Sequence, residues 1–442
     1  MLKAFRRIFL AYLPLALAFQ LMVLEAPLFS STIAGLPDSA RQLRAWGLTM
    51  QLSLCIESPV IMLLASSLAF VHSAETYAVT RKLTIILCWY CTVLTFLAGW
   101  TPLLDIVAHG WLGFPMETVE ASRIPLRIML FWSAAIGWRR FLQGILIHQG
   151  QAQRLVHGTL LRLTAIFLTT VIMARTVNVG GAAIAATAIM VGVLIESVYV
   201  TVVSKPAVKL VTNVSCGSDA STLMRKLIRF HTPLAATSLL GLIVQPVVSQ
   251  FLAGKPDSYV SLAVWPVLFG IVLELRGWGI SVQELAVGRL KQKRSTERGI
   301  WLFAIFVGVL TSAIVVLICL VPALMQGIEK VLNLDGRNRE IRVALEQALP
   351  WCIGLPLSTS LLSAHRGILA YKKQSLLVSA GMVVSIVTLV GCLWLARASQ
   401  YPALPTACVI LVISELVSLG VQLLPLGSKQ RRGARSGLQT RA

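Results

Sequence analysis

The chain is short of charge. Only 13% of its 442 residues are Asp, Glu, Lys or Arg, while 56% are hydrophobic; a soluble globular domain carries about 25% charged residues. That deficit excludes a water-soluble fold of this length. Long polar stretches are missing too. The widest gaps between apolar runs, 205–226 and 324–342, are too short to hold a further soluble domain. Acidic residues are scarcest, 18 against 39 Lys plus Arg. Absent as well are HExxH, a GxSxG elbow and a P-loop. The six histidines (72, 109, 148, 157, 231, 365) show no ligand spacing. An intramembrane enzyme needs positioned acid–base or metal groups, so that class has no residues to carry it. Eight cysteines are scattered along the chain. Cys88 and Cys91 form one CxxC, but the second ligand pair of a metal site is lacking. No catalytic residue, metal ligand or cofactor is assigned.

What is present is apolar length. Runs able to cross a bilayer, which takes about 20 residues each, recur twelve times: 8–30, 46–71, 83–106, 124–147, 155–175, 180–203, 228–252, 259–285, 300–322, 344–366, 375–396 and 403–425. The first follows Lys3, Arg6 and Arg7 in the manner of a signal peptide. It lacks a small-residue cleavage site and takes part in the repeat described below, so it is read as a span. With the N-terminus placed in the cytoplasm, inner segments carry 23 Lys and Arg and outer segments 10, the asymmetry the positive-inside rule expects. Both termini are then cytoplasmic, in a plasma (cytoplasmic) membrane. The net charge of +21 is assigned to topology and anionic lipid headgroups. Nucleic-acid binding is not expected, because the basic residues sit between spans rather than on one soluble face. The sequon Asn213-Val214-Ser215 falls on an inner loop and is expected to be silent.

The chain repeats itself. AGLPDS at 34–39 returns as AGKPDS at 253–258, an offset of 219. At the same offset Pro14-Leu15-Ala16 meets Pro233-Leu234-Ala235, and Pro27 meets Pro246. Gly144-Ile145-Leu146 before HQGQ has a counterpart in Gly367-Ile368-Leu369 before YKKQ. Six spans per half give two halves of the same orientation, related by an axis along the membrane normal. The expected fold is an all-α polytopic membrane protein, with twelve transmembrane helices in two six-helix lobes related by a parallel pseudo-two-fold repeat. The lobes are placed at 1–204 and 228–425, with a cytoplasmic linker at 205–227 and a basic tail at 426–442. Each repeated hairpin joins the first two helices of a lobe at the outer rim. Pro27 and Pro246, midway in the first helix of each lobe, are hinge candidates, since such prolines free a carbonyl and permit a bend.

These residues also carry a family resemblance. LQGILIHQGQAQRLVHGTLLRLTAIF (142–167), followed by VNVGGAAIAATAIMVGVLIES (177–197), resembles the multidrug/oligosaccharidyl-lipid/polysaccharide (MOP) flippase superfamily, which includes the MATE exporters. EAPL (25–28), the run from Ser58-Pro59 to FVHS (70–73), TPLA (232–235), QPVVSQFLAGK (245–255) and Gly277-Trp278 are similar, in order and spacing, to its progressive ankylosis branch. The resemblance implies two lobes around a cleft that opens alternately to either side. It also implies export of a small molecule, with the ankylosis-like branch pointing to small anions. The chain departs from the drug exporters in lacking an Asp late in the first span, where Glu25 lies a few residues earlier. It has no room for the two further spans of peptidoglycan-precursor flippases.

A charge within a span costs at least about 2.5–3.5 kcal/mol and is by default a functional candidate. Ten qualify: Glu25, Glu57, Arg139, Arg140, Arg162, Glu196, Glu274, Arg276, Glu284 and Glu415. Asp105, Arg127, Glu346 and Arg366 are read as interface anchors near helix ends. On the resemblance, Glu25, Glu57, Glu274, Arg276 and Glu284 lie on cleft-lining spans, with Arg139 and Arg140 on span four. Adjacent residues point about 100° apart, so one of those two arginines at most faces the cleft. Glu57 and Arg276 hold corresponding places in the repeat, 219 apart, and are expected to pair across the cleft in a closed state. A scaffold without transport would not need so many deep charges. The function expected is alternating-access export of a small phosphate- or carboxylate-bearing substrate. A lipid-linked saccharide flippase and a MATE-like drug antiporter are the alternatives. The expected partners are the transported molecule, a coupling ion (H+ or Na+) and membrane lipid, and the expected assembly is a monomer.

Overall fold

The structure is a computed structural model that describes residues 2–151, 153–217, 219–291, 296–334, 338–372 and 374–424. The expected tail at 426–442 lies outside them. The first half runs α1 (Leu2–Val23), α2 (Glu25–Ala34), α3 (Ser39–Ile61), α4 (Leu63–Phe70), α5 (Ala74–Trp100), α6 (Met116–Ile128), α7 (Trp132–His148), α8 (Gln153–Thr176) and α9 (Gly181–Thr212). The second runs α10 (Ala220–Leu242), α11 (Val244–Ala253), α12 (Ser258–Ile280), α13 (Val282–Lys291), α14 (Glu297–Leu320), α15 (Pro322–Val331), α16 (Arg339–Ala348), α17 (Gly354–Tyr371), α18 (Ser375–Leu395) and α19 (Ala403–Leu423). The architecture is the all-α, twelve-span, two-lobe one expected. Only helices satisfy every backbone group within one segment in hydrocarbon, and strands are absent among the described residues.

Among the described residues, ten of the spans are long and apolar enough to cross a membrane by length and composition. The other two are the fourth in each lobe, and both are built in pieces. In the first lobe the break falls between α6 and α7; in the second a 3-10 turn, Leu349–Cys352, precedes α17.

The repeat is written into the helix boundaries. The first span breaks at Leu24 and its counterpart at Ile243, 219 residues on; the second breaks at Met62 and its counterpart at Ser281, again 219 on. The first pair of breaks has a visible cause. Pro27 and Pro246 have no N–H for the carbonyls of Val23 and Leu242, so each ladder loses a rung there. It closes again on both sides: Leu24 N donates to Gln20 O at 3.1 Å, and Ile243 N to Leu239 O at 2.9 Å. The hairpins between the first two spans are tight in both copies but differ in detail, since Asp38 is left-handed (φ 55) and Asp257 is not (φ −89).

Packing repeats as well. A Cβ on Gly144 would stand 2.7 Å from Leu64 O and 2.6 Å from Ser67 Cβ. A Cβ on Gly367 would stand 2.7 Å from Gln283 O and 2.6 Å from Ala286 Cβ. Leu64 and Gln283, like Ser67 and Ala286, are 219 apart. The repeated Gly-Ile-Leu thus lets the fourth span press against the second in either lobe, the close approach that small residues allow in membranes.

Toward the hairpins, one continuous core spans both lobes, with Phe29, Trp46 and Ile189 packed in the same cluster as Val248, Trp265 and Leu349. Toward the termini the cores are separate. The terminal halves of the two broken first spans also change sides. Ile8, Tyr12 and Ala16 of α1 pack with Val282, Phe303 and Ile368 of the second half, and Leu227 of α10 packs with Val79 and Leu83 of the first. The breaks at Leu24 and Ile243 are where each span leaves one lobe for the other.

Candidate functional site

Where the shared core ends, a cavity of about 280 Å³ lies between the lobes. Its walls are Phe29, Trp46 and Met50 from one half and Trp265, Phe269 and Leu273 from the other. Trp46 and Trp265 are 219 apart, so the repeat supplies one indole from each side. Each ring is fixed: Trp46 meets Phe29 edge-on at 5.2 Å, and Trp265 Nε1 donates to Gln245 Oε1 at 2.8 Å. Among the described residues the polar lining is sparse, comprising Ser30, Gln51, Gln245 and one ionisable side chain, Glu25.

On the hairpin side the cavity is sealed. Arg44, fully buried, lies over Tyr259 with its Cζ 3.4 Å from the ring centroid. It donates through Nη1 to Tyr259 O at 3.2 Å and through Nε to Thr118 Oγ1 at 3.1 Å. Nearby, Asn338 accepts from Ser39 Oγ at 2.5 Å and donates to Ala34 O at 2.9 Å. Gln250 donates to Trp111 O at 2.7 Å. All three ties cross between the lobes. On the terminal side the lobes are joined through the exchanged helices, by Tyr12 Oη to Trp278 O at 2.6 Å, Gln20 Nε2 to Glu274 O at 2.6 Å, and Ser66 Oγ with His231 Nδ1 at 2.9 Å.

Glu25 opens onto the cavity and leads into the first lobe. It pairs with Arg162 Nη2 at 2.9 Å; Arg162 Nε reaches Glu196 at 3.2 Å; Glu196 also pairs with Arg139 and accepts from Gln143 at 3.1 Å. Glu57 lies beyond, buried, with Oε2 free of a hydrogen bond; its strongest cationic neighbour is Arg140, whose Nε is likewise unpartnered. Three carboxylates and three guanidiniums therefore share one buried region. Burying ions without partners is costly, and the matched numbers offset that cost.

The second lobe holds a smaller cluster. Arg276 pairs with Glu415 and donates to Thr359 Oγ1 at 2.8 Å, while Ser358 Oγ donates to Glu415 at 2.5 Å. Arg366, expected as an interface anchor, instead carries a buried Nε without a partner on α17. Glu274 has a buried oxygen without a partner, and Glu284 is exposed on α13.

Of the seven side chains assigned to the cleft, only Glu25 lines this cavity. Arg139 turns inward to Glu196, so Arg140 is the one without an ion pair among the described residues. Glu57 and Arg276 do not pair in this conformation; each interacts within its own lobe, since Arg276 finds Glu415 on α19. Of the other residues read as anchors, Asp105 pairs with Arg123 at 2.7 Å, Arg127 donates to Gly99 O at 2.8 Å, and Glu346 pairs with Arg342 at 3.6 Å. Cys88 and Cys91 diverge, toward Ala134 O and Ile56 O. The close cysteines are Cys352 and Cys408, with sulfurs 3.1 Å apart, which spacing along the chain did not suggest. Among the described residues, no group of three or more His, Cys, Asp and Glu could hold a metal.

No family model matches the chain, and no curated protein matches it. Solved structures do. An inward-facing MATE family transporter of the MOP superfamily is similar over 96% of each chain, at 16% identity and a TM-score of 0.73. The fold is that of the MATE transporters. An outward-facing MATE family transporter is similar over 98% of this chain and 96% of its own, at 15% identity and a TM-score of 0.64. A MOP superfamily transporter from Pyrococcus furiosus, for which a reversed polarity of the binding pocket is described, is similar over 98% and 96%, at 17% identity and a TM-score of 0.63.

Proposed function

We propose that this chain is a membrane exporter working by alternating access between its lobes, 1–204 and 228–425, and that the cavity between Trp46 and Trp265 receives its substrate. The observation that carries the reading is the position of that cavity. It lies where the core shared by the lobes gives way to separate cores, the place a transported molecule occupies when two lobes rock around it. Its lining favours an amphipathic organic molecule with an apolar body and a positive charge. Indole faces attract cations, and among the described residues the ionisable side chain in the wall is Glu25, an acid that a cationic substrate would share with Arg162. A drug antiporter of the MATE kind fits that chemistry. A lipid-linked saccharide would need many more hydrogen-bonding groups than the lining supplies. The termini are placed in the cytoplasm, the membrane is the plasma membrane, and the chain acts as a monomer. The Glu25–Arg162–Glu196–Arg139 chain is the natural seat of a coupling proton or Na+.

A second reading keeps the small anion of the ankylosis-like branch. It rests on Arg140 and Arg366, deep guanidiniums without ion pairs among the described residues, which suit carboxylate or phosphate. Equilibrium dialysis of the purified protein separates the two readings. Radiolabelled tetraphenylphosphonium should bind, and Trp46→Ala and Trp265→Ala should each weaken it by about tenfold. If citrate or pyrophosphate binds instead, and Arg366→Gln abolishes it, the anion reading replaces the first.

A further inference from the structure

The membrane-facing surface of the first lobe carries a groove that the proposed transport cycle does not use. It runs between α7 and α9. One stretch, about 430 Å³, is walled by Phe131, Ala134, Leu194, Val198 and Val202. The next, about 330 Å³, is walled by Tyr77, Leu142, Lys209 and Thr212. Trp138, Thr201 and Lys205 border both, so the two form one trough.

Its chemistry changes from end to end. Phe131, Val198 and Val202 are 57%, 64% and 55% exposed, an apolar surface without a protein partner. Lys205 and Lys209, one helical turn apart, share a face with Thr201 and Thr212. The length of α9 explains why lysines are tolerated there. Its 32 residues span about 48 Å against about 30 Å of hydrocarbon, so one end must emerge among the headgroups. Neither lysine has an ion-pair partner among the described residues. The acid at the near end of α5, Glu75, is already engaged. It accepts from Ser73 Oγ at 2.9 Å, from Cys216 N at 3.0 Å and from Ser215 Oγ. The floor is fixed by Trp138 Nε1 donating to Thr201 Oγ1 at 2.9 Å and Ser197 Oγ to Ala135 O at 3.0 Å.

We propose that this trough binds one anionic phospholipid, its phosphate on Lys205 and Lys209 and an acyl chain along Val202, Val198 and Phe131. The two parts of such a lipid match the two parts of the groove. Basic pockets between transmembrane helices at the headgroup level bind anionic lipid heads. From Lys205 to Leu194, α9 rises about 16 Å, room for most of one chain. The same two helices carry Arg139 and Glu196 on other faces, so a lipid held here braces the helix pair that supports the buried charges.

The test is native mass spectrometry of the full-length protein released from nanodiscs of phosphatidylglycerol or of phosphatidylcholine. The wild type should retain one phosphatidylglycerol and release phosphatidylcholine. Lys205→Gln/Lys209→Gln should lower that retention at least about tenfold. Lys226→Gln/Arg229→Gln, the same loss of charge on α10, should leave it unchanged. Equal retention of the two lipids, or loss of phosphatidylglycerol in both double variants alike, would overturn the proposal. So would displacement of the lipid by millimolar inorganic phosphate with no chain-length dependence, which would mark a phosphate site rather than a lipid one. A melting temperature raised by phosphatidylglycerol in the wild type and not in Lys205→Gln/Lys209→Gln is the matching result in solution.

Discussion

Arg44 of the first lobe and Tyr259 of the second are stacked, guanidinium on ring at 3.4 Å, and close the hairpin end of the cavity. A buried cation–π contact contributes about 2 kcal/mol, and Arg44 adds a hydrogen bond to the Tyr259 carbonyl. Arg44→Gln should therefore raise the population open on the hairpin side by roughly tenfold or more. The readout is the rate at which a membrane-impermeant maleimide, applied from the hairpin side, labels a cysteine placed at Met50 on the cavity wall. An unchanged rate would mean that Arg44 does not hold the seal.

Glu196 is the hub of the first lobe's buried charges, serving Arg139, Arg162 and Gln143. Glu196→Gln leaves a buried arginine without its counter-ion, which costs about 3–5 kcal/mol. The variant should melt well below the wild type in detergent, and Glu196→Asp should recover part of the loss. Equal melting temperatures would show that the ions are already hydrated.

The paired glycines make a sharper stability test. Gly144→Ala and Gly367→Ala each force a methyl against a backbone carbonyl and should cost about 1–3 kcal/mol. Gly288→Ala, with nothing within 4 Å of its Cβ, should be neutral or slightly stabilising, because helical Ala is favoured over Gly. Thermal unfolding of the three variants ranks them.

Much of the fold is legible in the sequence. Twelve spans follow from apolar length, and the breaks at Leu24 and Ile243 follow from prolines placed three residues beyond each. The exchange of α1 and α10 between lobes was not legible, because order along the chain does not say which neighbour a bent helix leans on. Arg44 reads as one more loop charge on the outer side; its burial depends on Tyr259, 215 residues away. The equivalence of Trp46 and Trp265 stands in the sequence at the repeat offset, yet a tryptophan in a span is usually packing, and the match alone marks no site. Arg276 found its partner on α19 because a two-fold places corresponding residues at one depth without making them face each other.

That last point gives a further prediction. Arg276→Glu should impair transport, and Glu415→Arg in the same chain should restore part of it, since the pair is contained within one lobe. Glu57→Arg combined with Arg276→Glu should do no better than either single change. Rescue by the Glu57 swap, measured as uptake into inverted vesicles, would bring back a contact across the cleft in the opposite closed state.

The central claim is that the two lobes rock about the Trp46–Trp265 cavity. It is tested most directly by pulsed electron paramagnetic resonance on two spin-label pairs, one at Pro37 and Pro256 in the repeated hairpins, the other at Gln149 and Lys372 after the fourth span of each lobe. Two distances should be found at each end, and conditions that lengthen the hairpin pair should shorten the other. One fixed distance at both ends, with and without a bound substrate, would contradict the account.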